Sequence, residues 1–300
     1  MTLTIAQAAA RIRSGGVVAF PTETVYGLGA NALDAAAVAK IFQLKGRPAT
    51  SPLIVHLASV AMAREVVAEW PPLAQELAER WWPGPLTLVL PKKASLPDVV
   101  TAGLPTVGVR VPSHPIALSL LEAAGVPIAA PSANLFGGLS PTRAEHVRQV
   151  FGTAVDVVEG GASEVGIEST VVAVEGGQLK LLRPGMISLG VLDQAAADPG
   201  AAHPSPGMHP RHYSPHTPLL LVTDGIHLPG TEGAYVWRRS SGVAARSLKM
   251  PVDPNAYAAR LYSVLHELDT EGWPWIAVEA PPESPEWAAI RDRLQRAAQR

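Results

Sequence analysis

The chain of 300 residues contains no cysteine. Disulfide bonds, thiolate catalysis and metal sites built on cysteine sulfur are therefore excluded. Charge is also scarce, since only 17% of the residues are charged and the net charge is −2. Such a balance provides no broad basic surface for nucleic acid or for an anionic membrane. We therefore expect any contact with RNA to be local or weak.

Long apolar segments are missing as well. No apolar run reaches the roughly 18 residues that a membrane-spanning helix requires. Near the N-terminus, Arg11 and Arg13 interrupt the sequence before the apolar core of a secretory signal develops. The sequence thus predicts a soluble, cytoplasmic protein with no membrane contact.

Three familiar catalytic motifs are absent. No lysine follows a glycine, so the chain has no P-loop for nucleotide phosphates, and neither G-x-S-x-G nor H-E-x-x-H occurs. If this protein uses ATP, it must bind the nucleotide by another architecture.

Apolar strands alternate with amphipathic helices through the first two thirds of the chain, which predicts an α/β fold. A capping-box pattern at Thr4 and Gln7 begins the first helix, and Gly15 and Gly16 end it. Short strands are predicted at residues 17–20, 53–57, 86–90, 106–111 and 127–130. Helices are predicted at residues 35–44, 73–81 and 116–123. Residues 170–174 and 178–182 flank a Glu-Gly-Gly turn and predict a β-hairpin.

The composition changes between His203 and Pro218, where 5 prolines and 4 histidines occur. This proline density excludes helices and strands, so we predict an extended linker. The predicted organisation is a mixed-sheet domain at 1–195, a linker at 196–217 and a small Rossmann-like α/β domain at 218–300. The small domain lacks a G-x-G-x-x-G motif after its first strand, so we expect no dinucleotide site there.

Six polar segments lie at the ends of predicted strands, a position where open α/β sheets bind ligands. Their cations and short hydroxyl and amide side chains suit a polyanion together with a small zwitterion. The segments are P-T-E-T-V-Y-G-L-G at 21–29, K-G-R-P at 45–48, W-P-G-P-L-T at 82–87, T-V-G-V-R-V-P at 106–112, P-S-A-N at 131–134 and E-S-T-V at 168–171.

Taken singly, these residues have structural explanations. His56 would more often be a core histidine, Arg47 and Arg110 would more often form surface ion pairs, and Ser132 could be a helix cap. The linker histidines have no adjacent acidic partner, so we expect no metal site. The basic series Arg291, Arg293, Arg296 and Arg300 predicts a solvated helix face.

Together, the ordered motifs resemble the YrdC-type threonylcarbamoyl-AMP synthases over residues 5–190. The Lys45/Arg47 and Ser132/Asn134 pairs match the K-x-R and S-x-N signature of that family. The linker and small domain resemble its long, two-domain branch, although His209-Pro210 replaces the usual Lys-Tyr. The resemblance implies a YrdC-like twisted mixed-sheet domain and a nucleotidyltransferase that joins L-threonine, bicarbonate or CO₂ and ATP into threonylcarbamoyl-AMP and pyrophosphate.

The resemblance also implies roles for particular residues. Lys45 and Arg47 would be catalytic, and Mg²⁺ would accompany ATP without a metal site on the protein. L-threonine would be held by Thr24, His56, Arg110, Ser132 and Ser169. ATP would be held by Arg47, Ser51, Thr106, Asn134, Thr142, Arg183 and Tyr213. The linker would close over the site as a lid, and the product would pass to a tRNA threonylcarbamoyl transferase complex.

Two other functions remain open from the sequence. One is the handling of a carbamoyl-adenylate, as in the YrdC-like module of hydrogenase maturation factors. The other is RNA binding without catalysis, on a concave YrdC-like face.

Overall fold

The computed structural model describes residues 1–189 and 212–299. Most of the predicted linker therefore lies outside the described residues, which include only its last part, 212–217. The proposed boundaries at 195 and 217 stay predictions.

A nine-stranded mixed sheet forms the larger unit, in the order β7-β1-β2-β6-β3-β5-β4-β8-β9. Three pairs are parallel (β7/β1, β3/β5 and β4/β8), and the other five are antiparallel. The predicted mixed sheet is thus confirmed. Its strands are β1 (Val18–Phe20), β2 (Gly27–Asn31), β3 (Ile54–His56), β4 (Leu86–Pro91), β5 (Thr106–Arg110), β6 (Ile128–Ala129), β7 (Asp156–Val157), β8 (Thr170–Glu175) and β9 (Gln178–Arg183).

Helices cover both faces of this sheet, because successive strand residues point to opposite sides. Val18 and Phe20 pack with α1 and α6, whereas Ala19 belongs to the larger core on the other face. The helices are α1 (Ile5–Arg13), α2 (Ala35–Lys45), α3 (Val60–Val66), α4 (Pro72–Trp81), α5 (Asp98–Thr101), α6 (Pro115–Ala124) and α7 (Ala144–Phe151).

Local sequence signals are confirmed where they are strongest. Thr4 and Gln7 form the predicted capping box of α1. The β8/β9 hairpin turns at Gly176 and Gly177, whose φ angles of 57° and 78° suit a two-residue turn.

The smaller unit is a four-stranded parallel sheet with helices, in the order β10-β13-β11-β12. The predicted small α/β unit is confirmed, but the likeness to a Rossmann fold is loose, since the last strand lies between the first two. Its elements are β10 (Leu219–Val222), β11 (Ala234–Trp237), β12 (Arg246–Lys249), α8 (Pro254–Glu271), β13 (Ile276–Glu279), a 3₁₀ turn (Pro285–Trp287) and α9 (Ala288–Ala297).

The two units share an apolar core. Val25 and Ile167 from the larger unit pack with Leu261 and Leu265 of α8. Gly166 lies against this helix so closely that a Cβ atom there would approach the Ala258 carbonyl oxygen to 2.5 Å. The smaller unit therefore sits on loops of the larger one. None of the helices within 1–189 and 212–299 is long and apolar enough to cross a membrane.

The prediction of a solvated basic face on the last helix is wrong for Arg293, which is fully buried at the junction of the two units. Arg291 and Arg296 are partly buried, and Arg300 lies outside the described residues. Helical spacing alone does not distinguish a basic residue that faces water from one that faces a buried carboxylate.

Candidate active site

A small cavity of about 50 Å³ lies between the loops of the larger unit and residues 212–213. Eight of the predicted site residues line it: Thr24, Arg47, His56, Arg110, Ser132, Ser169, Arg183 and Tyr213. The polar segments therefore converge, as expected from the sequence.

Their meeting place differs from the expected one. Ile54 and His56 of β3 both line the cavity, as do Ala130 and Ser132 after β6, whereas Val55 belongs to the opposite core. Residues two apart on a strand share a face. The cavity therefore lies on one face of the sheet and not at a common carboxyl edge, because antiparallel strands give this sheet no such edge.

Arg110 is held by three groups. Its Nη1 donates to Thr24 Oγ1 at 2.9 Å, its Nε donates to the Gly84 carbonyl at 3.2 Å, and its Nη2 lies 2.6 Å from Glu23 Oε1. Burial opposes the charge of Glu23, but Arg110 outweighs it and holds the pKa of this carboxyl below its usual value. Glu23 was not among the predicted site residues, although it stands inside the first motif.

His56 stands beside Arg110 in the parallel pairing of β3 and β5 and contacts the Phe20 ring edge-on, with the centroids 6.0 Å apart. Burial, with a contribution from the positive charge of Arg110, lowers the pKa of His56 to about 3. The imidazole is thus neutral at pH 7, where it can offer one donor and one acceptor.

Ser169 and Arg183 form a second polar group. Arg183 donates from Nη2 to Ser169 Oγ and from Nε to the Ser169 carbonyl, both at 3.1 Å. The Ser169 hydroxyl also contacts Thr87 Oγ1 at 2.8 Å. Thr87, which is fully buried in β4, is a supporting residue that sequence reasoning missed.

Arg47 occupies the other side of the cavity. Its Nη2 donates to the Pro52 carbonyl at 3.0 Å and its Nε donates to the Ser51 carbonyl at 3.3 Å. Burial lowers the pKa of Arg47 to about 10, so the guanidinium is still charged at pH 7. Ser51 thus supports Arg47 through its backbone, and its own side chain does not line the cavity.

Lys45 lies beneath the cavity wall. Its Nζ donates to the carbonyls of Ser132, at 2.7 Å, and of Asn134. Burial, and the neighbouring charge of Arg47, lower the pKa of Lys45. The lysine predicted as catalytic therefore holds the 132–134 segment in place and does not line the cavity itself.

Two predicted ATP-binding residues lie elsewhere. Thr142 is buried against α8, where its hydroxyl contacts Ser263 Oγ at 2.9 Å. Thr106 begins β5, four residues before Arg110, and does not line the cavity. A strand rises about 3.3 Å per residue, which separates their Cα atoms by about 13 Å.

Tyr213 closes the cavity. It has a φ of 62°, a left-handed conformation that non-glycine residues seldom adopt. Its ring is 1% exposed, and among the described residues its hydroxyl has no hydrogen-bond partner. The next residue, Ser214, lines a second cavity of about 810 Å³ together with Asn134, Phe136 and residues of α8. The chain at 212–214 therefore runs between the two cavities.

The two linker histidines within residues 212–299 lie in different surroundings. His212 is buried beside Tyr213, while His216 is exposed and contacts Asp269. Among the described residues, no group of three metal-ligating side chains occurs. His203 and His209 lie outside those residues.

Comparison with solved structures places the fold among the Sua5 proteins. The crystal structure of P. abyssi Sua5 complexed with L-threonine superposes with a TM-score of 0.91 at 39% identity, covering 98% of this chain and 94% of that one. Residues 10–185 match the Sua5/YciO/YrdC family model, described as telomere recombination. Residues 178–299 match the C-terminal domain of threonylcarbamoyl-AMP synthase.

Curated relatives extend over both units. The threonylcarbamoyl-AMP synthase of Bacillus subtilis (strain 168) is 41% identical, covering 98% of this chain and 92% of that protein. The Pyrococcus abyssi enzyme of the same name is 40% identical, covering 97% and 93%. The chain belongs to the threonylcarbamoyl-AMP synthase family, in its two-domain branch.

Proposed function

We propose that this protein is an L-threonylcarbamoyladenylate synthase, a nucleotidyltransferase that forms threonylcarbamoyl-AMP and pyrophosphate from L-threonine, bicarbonate or CO₂, and ATP. The main observation behind this proposal is that Arg110, Thr24, Arg47 and Arg183 all line the same small cavity. A carboxylate site and a phosphate site in one enclosure suit a reaction that joins an amino acid to a nucleotide.

Threonine would bind on the Arg110 side. Arg110 donates hydrogen bonds to Thr24 and to Gly84 and forms an ion pair with Glu23, which leaves N–H donors of its guanidinium for the α-carboxylate of threonine. Ser132 and Ser169 offer hydroxyls for the rest of the substrate. The related P. abyssi Sua5 was crystallised as a complex with L-threonine, which supports threonine as a substrate.

The neutral amine of threonine would then react with CO₂, which bicarbonate supplies by losing water, to give a carbamate and release a proton to solvent. An oxygen of the carbamate would attack the α-phosphorus of ATP, and the bond from that phosphorus to the bridging oxygen would break to release pyrophosphate. Negative charge develops on the phosphoryl oxygens, and fixed cations stabilise it without reorganisation. Arg47 and Arg183 would be these cations, and Lys45 would hold residues 132–134 of the cavity wall in place.

ATP would extend beyond the small cavity. The second cavity shares Asn134 with the proposed ATP residues, and its volume of about 810 Å³ falls in the range of ligand pockets. Tyr213 and Ser214 lie between the two spaces, so this part of the linker would cover the reacting groups. A covered site protects a carbamate from water.

Mg²⁺ would bind to the phosphates of ATP and enter the site with the nucleotide. Glu168, which lines the cavity, and Glu23, which lies beside Arg110, are each paired with an arginine. Phosphate oxygens and water would therefore provide the ligands of the ion, as is usual for magnesium on nucleotides. Neutralising the phosphates is the chemistry that the ion would supply.

In the cytoplasm, the product would serve a tRNA threonylcarbamoyl transferase complex. Threonylcarbamoyl-AMP is an activated mixed anhydride, so its threonylcarbamoyl group can be transferred to a nucleophile, and we assign that transfer to the separate complex.

The test is pyrophosphate release from ATP with and without L-threonine and bicarbonate. We expect release that requires both substrates. Release that ignores threonine would point to another carbamoyl acceptor, and folded protein that binds tRNA but releases no pyrophosphate would favour the RNA-binding alternative.

A further inference from the structure

The last helix places a charged side chain at the rim of the catalytic unit. Arg293 of α9 is fully buried, although it belongs to the smaller unit. Its Nε donates to Glu168 Oε2 at 2.7 Å, and its Nη2 donates to the Pro184 carbonyl at 3.0 Å. Its Nη1 donates to Asp292 Oδ2 at 2.6 Å.

The two partners in the larger unit adjoin cavity residues. Glu168 lines the cavity itself and precedes Ser169, and Pro184 follows Arg183. One planar guanidinium therefore ties together the segment that enters β8 and the segment that leaves β9. A fixed fork of donors can hold two such acceptors in one geometry.

The same guanidinium also faces Tyr213, with its carbon 5.1 Å from the centre of the ring. A cation over an aromatic face is attractive, and more so away from water. Arg293 thus contacts three structures that shape the cavity, which are the β8 entry, the β9 exit and the tyrosine of the linker.

Glu168 is the centre of this network. It accepts hydrogen bonds from Ser140 Oγ at 2.5 Å and from Tyr262 OH at 3.2 Å, in addition to Arg293. Burial opposes its charge, but Arg293 and then Arg183 outweigh it and lower the pKa of Glu168. An ionised Glu168 without Arg293 would be an unpaired buried charge, which is costly.

We propose that Arg293 is a positioning residue through which the C-terminal unit shapes the substrate cavity. It does not line the cavity, so it acts through Glu168, Pro184 and Tyr213. The inference rests on the proposed synthase function and deepens it, because it gives the C-terminal unit a defined task at the site.

The test uses Arg293→Lys in the full chain, with Arg291→Lys as the matched control. Lysine keeps the charge opposite Glu168 but lacks the planar fork. Arg291 lies on the same helix and donates to the carbonyls of Pro282 and Ser284, away from the Glu168 network. For Arg293→Lys we expect kcat to fall about tenfold or more and KM for ATP to rise. Threonine binding without ATP should change less, since the carboxylate of threonine is assigned to Arg110, whose hydrogen-bond and ion-pair partners are Glu23, Thr24 and Gly84 and not Arg293 or Glu168.

A third variant separates positioning from stability. Glu168→Gln disrupts the same pair, so its effect on kcat should not add to that of Arg293→Lys. A merely structural role would lower the unfolding temperature of each variant and leave kcat per folded molecule unchanged, which would overturn the proposal.

Amide hydrogen exchange measured without substrates distinguishes this inference from the proposed function. We expect faster exchange at residues 167–170, 183–187 and 212–215 in Arg293→Lys but not in Arg291→Lys. If the wild-type protein shows no synthase activity but Arg293→Lys still exchanges faster than Arg291→Lys at these residues, the proposed function is refuted and the positioning role of Arg293 stands. An active Arg293→Lys enzyme with wild-type kcat and exchange would refute the positioning.

Discussion

At the scale of single residues, the site depends on charged groups that are fixed before any substrate arrives. Arg110 is 3% exposed and already bonded to Glu23 and Thr24. Orientation that is fixed in advance is worth more than the charge alone, because the substrate need not order the side chain.

Replacing Arg110 by lysine tests this point. Lysine preserves one positive charge but cannot contact Glu23, Thr24 and a carboxylate together. We expect KM for L-threonine to rise about tenfold or more, with a smaller change in KM for ATP. Steady-state kinetics with each substrate varied in turn would measure both, and equal rises in the two constants would contradict the assignment.

Thr87 offers a second test at this scale. Thr87→Val removes the hydroxyl that contacts Ser169 with almost no change of shape, so stability should fall by about 1 kcal/mol and kcat/KM for threonine should fall several-fold. Thr101→Val is the control, because Thr101 is equally buried and hydrogen-bonded to Leu104 but remote from the cavity. Identical kinetics for the two variants would contradict a role for Thr87 in placing Ser169.

At the scale of elements, strongly periodic segments could be predicted and glycine-rich ones could not. The strand β2 was missed because Gly27 and Gly29 give no apolar alternation. Gly29 must nevertheless be small, since a Cβ there would lie 2.6 Å from the Phe20 ring and 2.7 Å from Ile128. That requirement arises from residues of neighbouring strands, so it cannot be predicted from the sequence immediately around Gly29.

The contact between α7 and α8 is a titratable junction of the two units. His146 and His266 stack with ring centroids 3.9 Å apart. Burial, with a contribution from His266, lowers the pKa of His146 to about 3, and burial also lowers the pKa of His266. Arg143, Glu145, Glu267 and Glu271 surround the pair.

The direction of the pH effect follows from these lowered pKa values. The unfolded chain binds protons at the ordinary histidine pKa of 6.5, whereas the folded protein resists them. The contribution of the neutral His146 to the free energy of unfolding is therefore fully present above about pH 6.5 and is lost as the pH falls toward 3. We expect His146→Gln to reduce the loss between pH 7 and 5 by about 1 kcal/mol, measured by denaturant unfolding. An unchanged pH slope would contradict the buried, neutral state of His146.

At the scale of the whole molecule, the ordered motifs predicted the family, the mixed sheet and eight residues of one cavity. Two aspects lay beyond sequence reasoning. Lys45 supports a wall through backbone carbonyls, and Arg293 crosses from the smaller unit to Glu168. Both depend on which buried acceptor a cation meets, and that is decided by tertiary packing.

The arrangement of the two units also gives the proposed reaction its enclosure. The smaller unit carries α8 and α9 to the loops around the cavity, and Tyr213 lies between them and the catalytic sheet. This arrangement would let threonine, CO₂ and ATP, the substrates of the proposed reaction, meet in one covered space.

The most direct measurement is mass spectrometry of the product formed from ATP and L-threonine in ¹³C-bicarbonate. We expect an adenylate that contains threonine and the labelled carbon, together with pyrophosphate. An adenylate of threonine without the label, or ADP in place of pyrophosphate, would contradict the proposed synthase reaction.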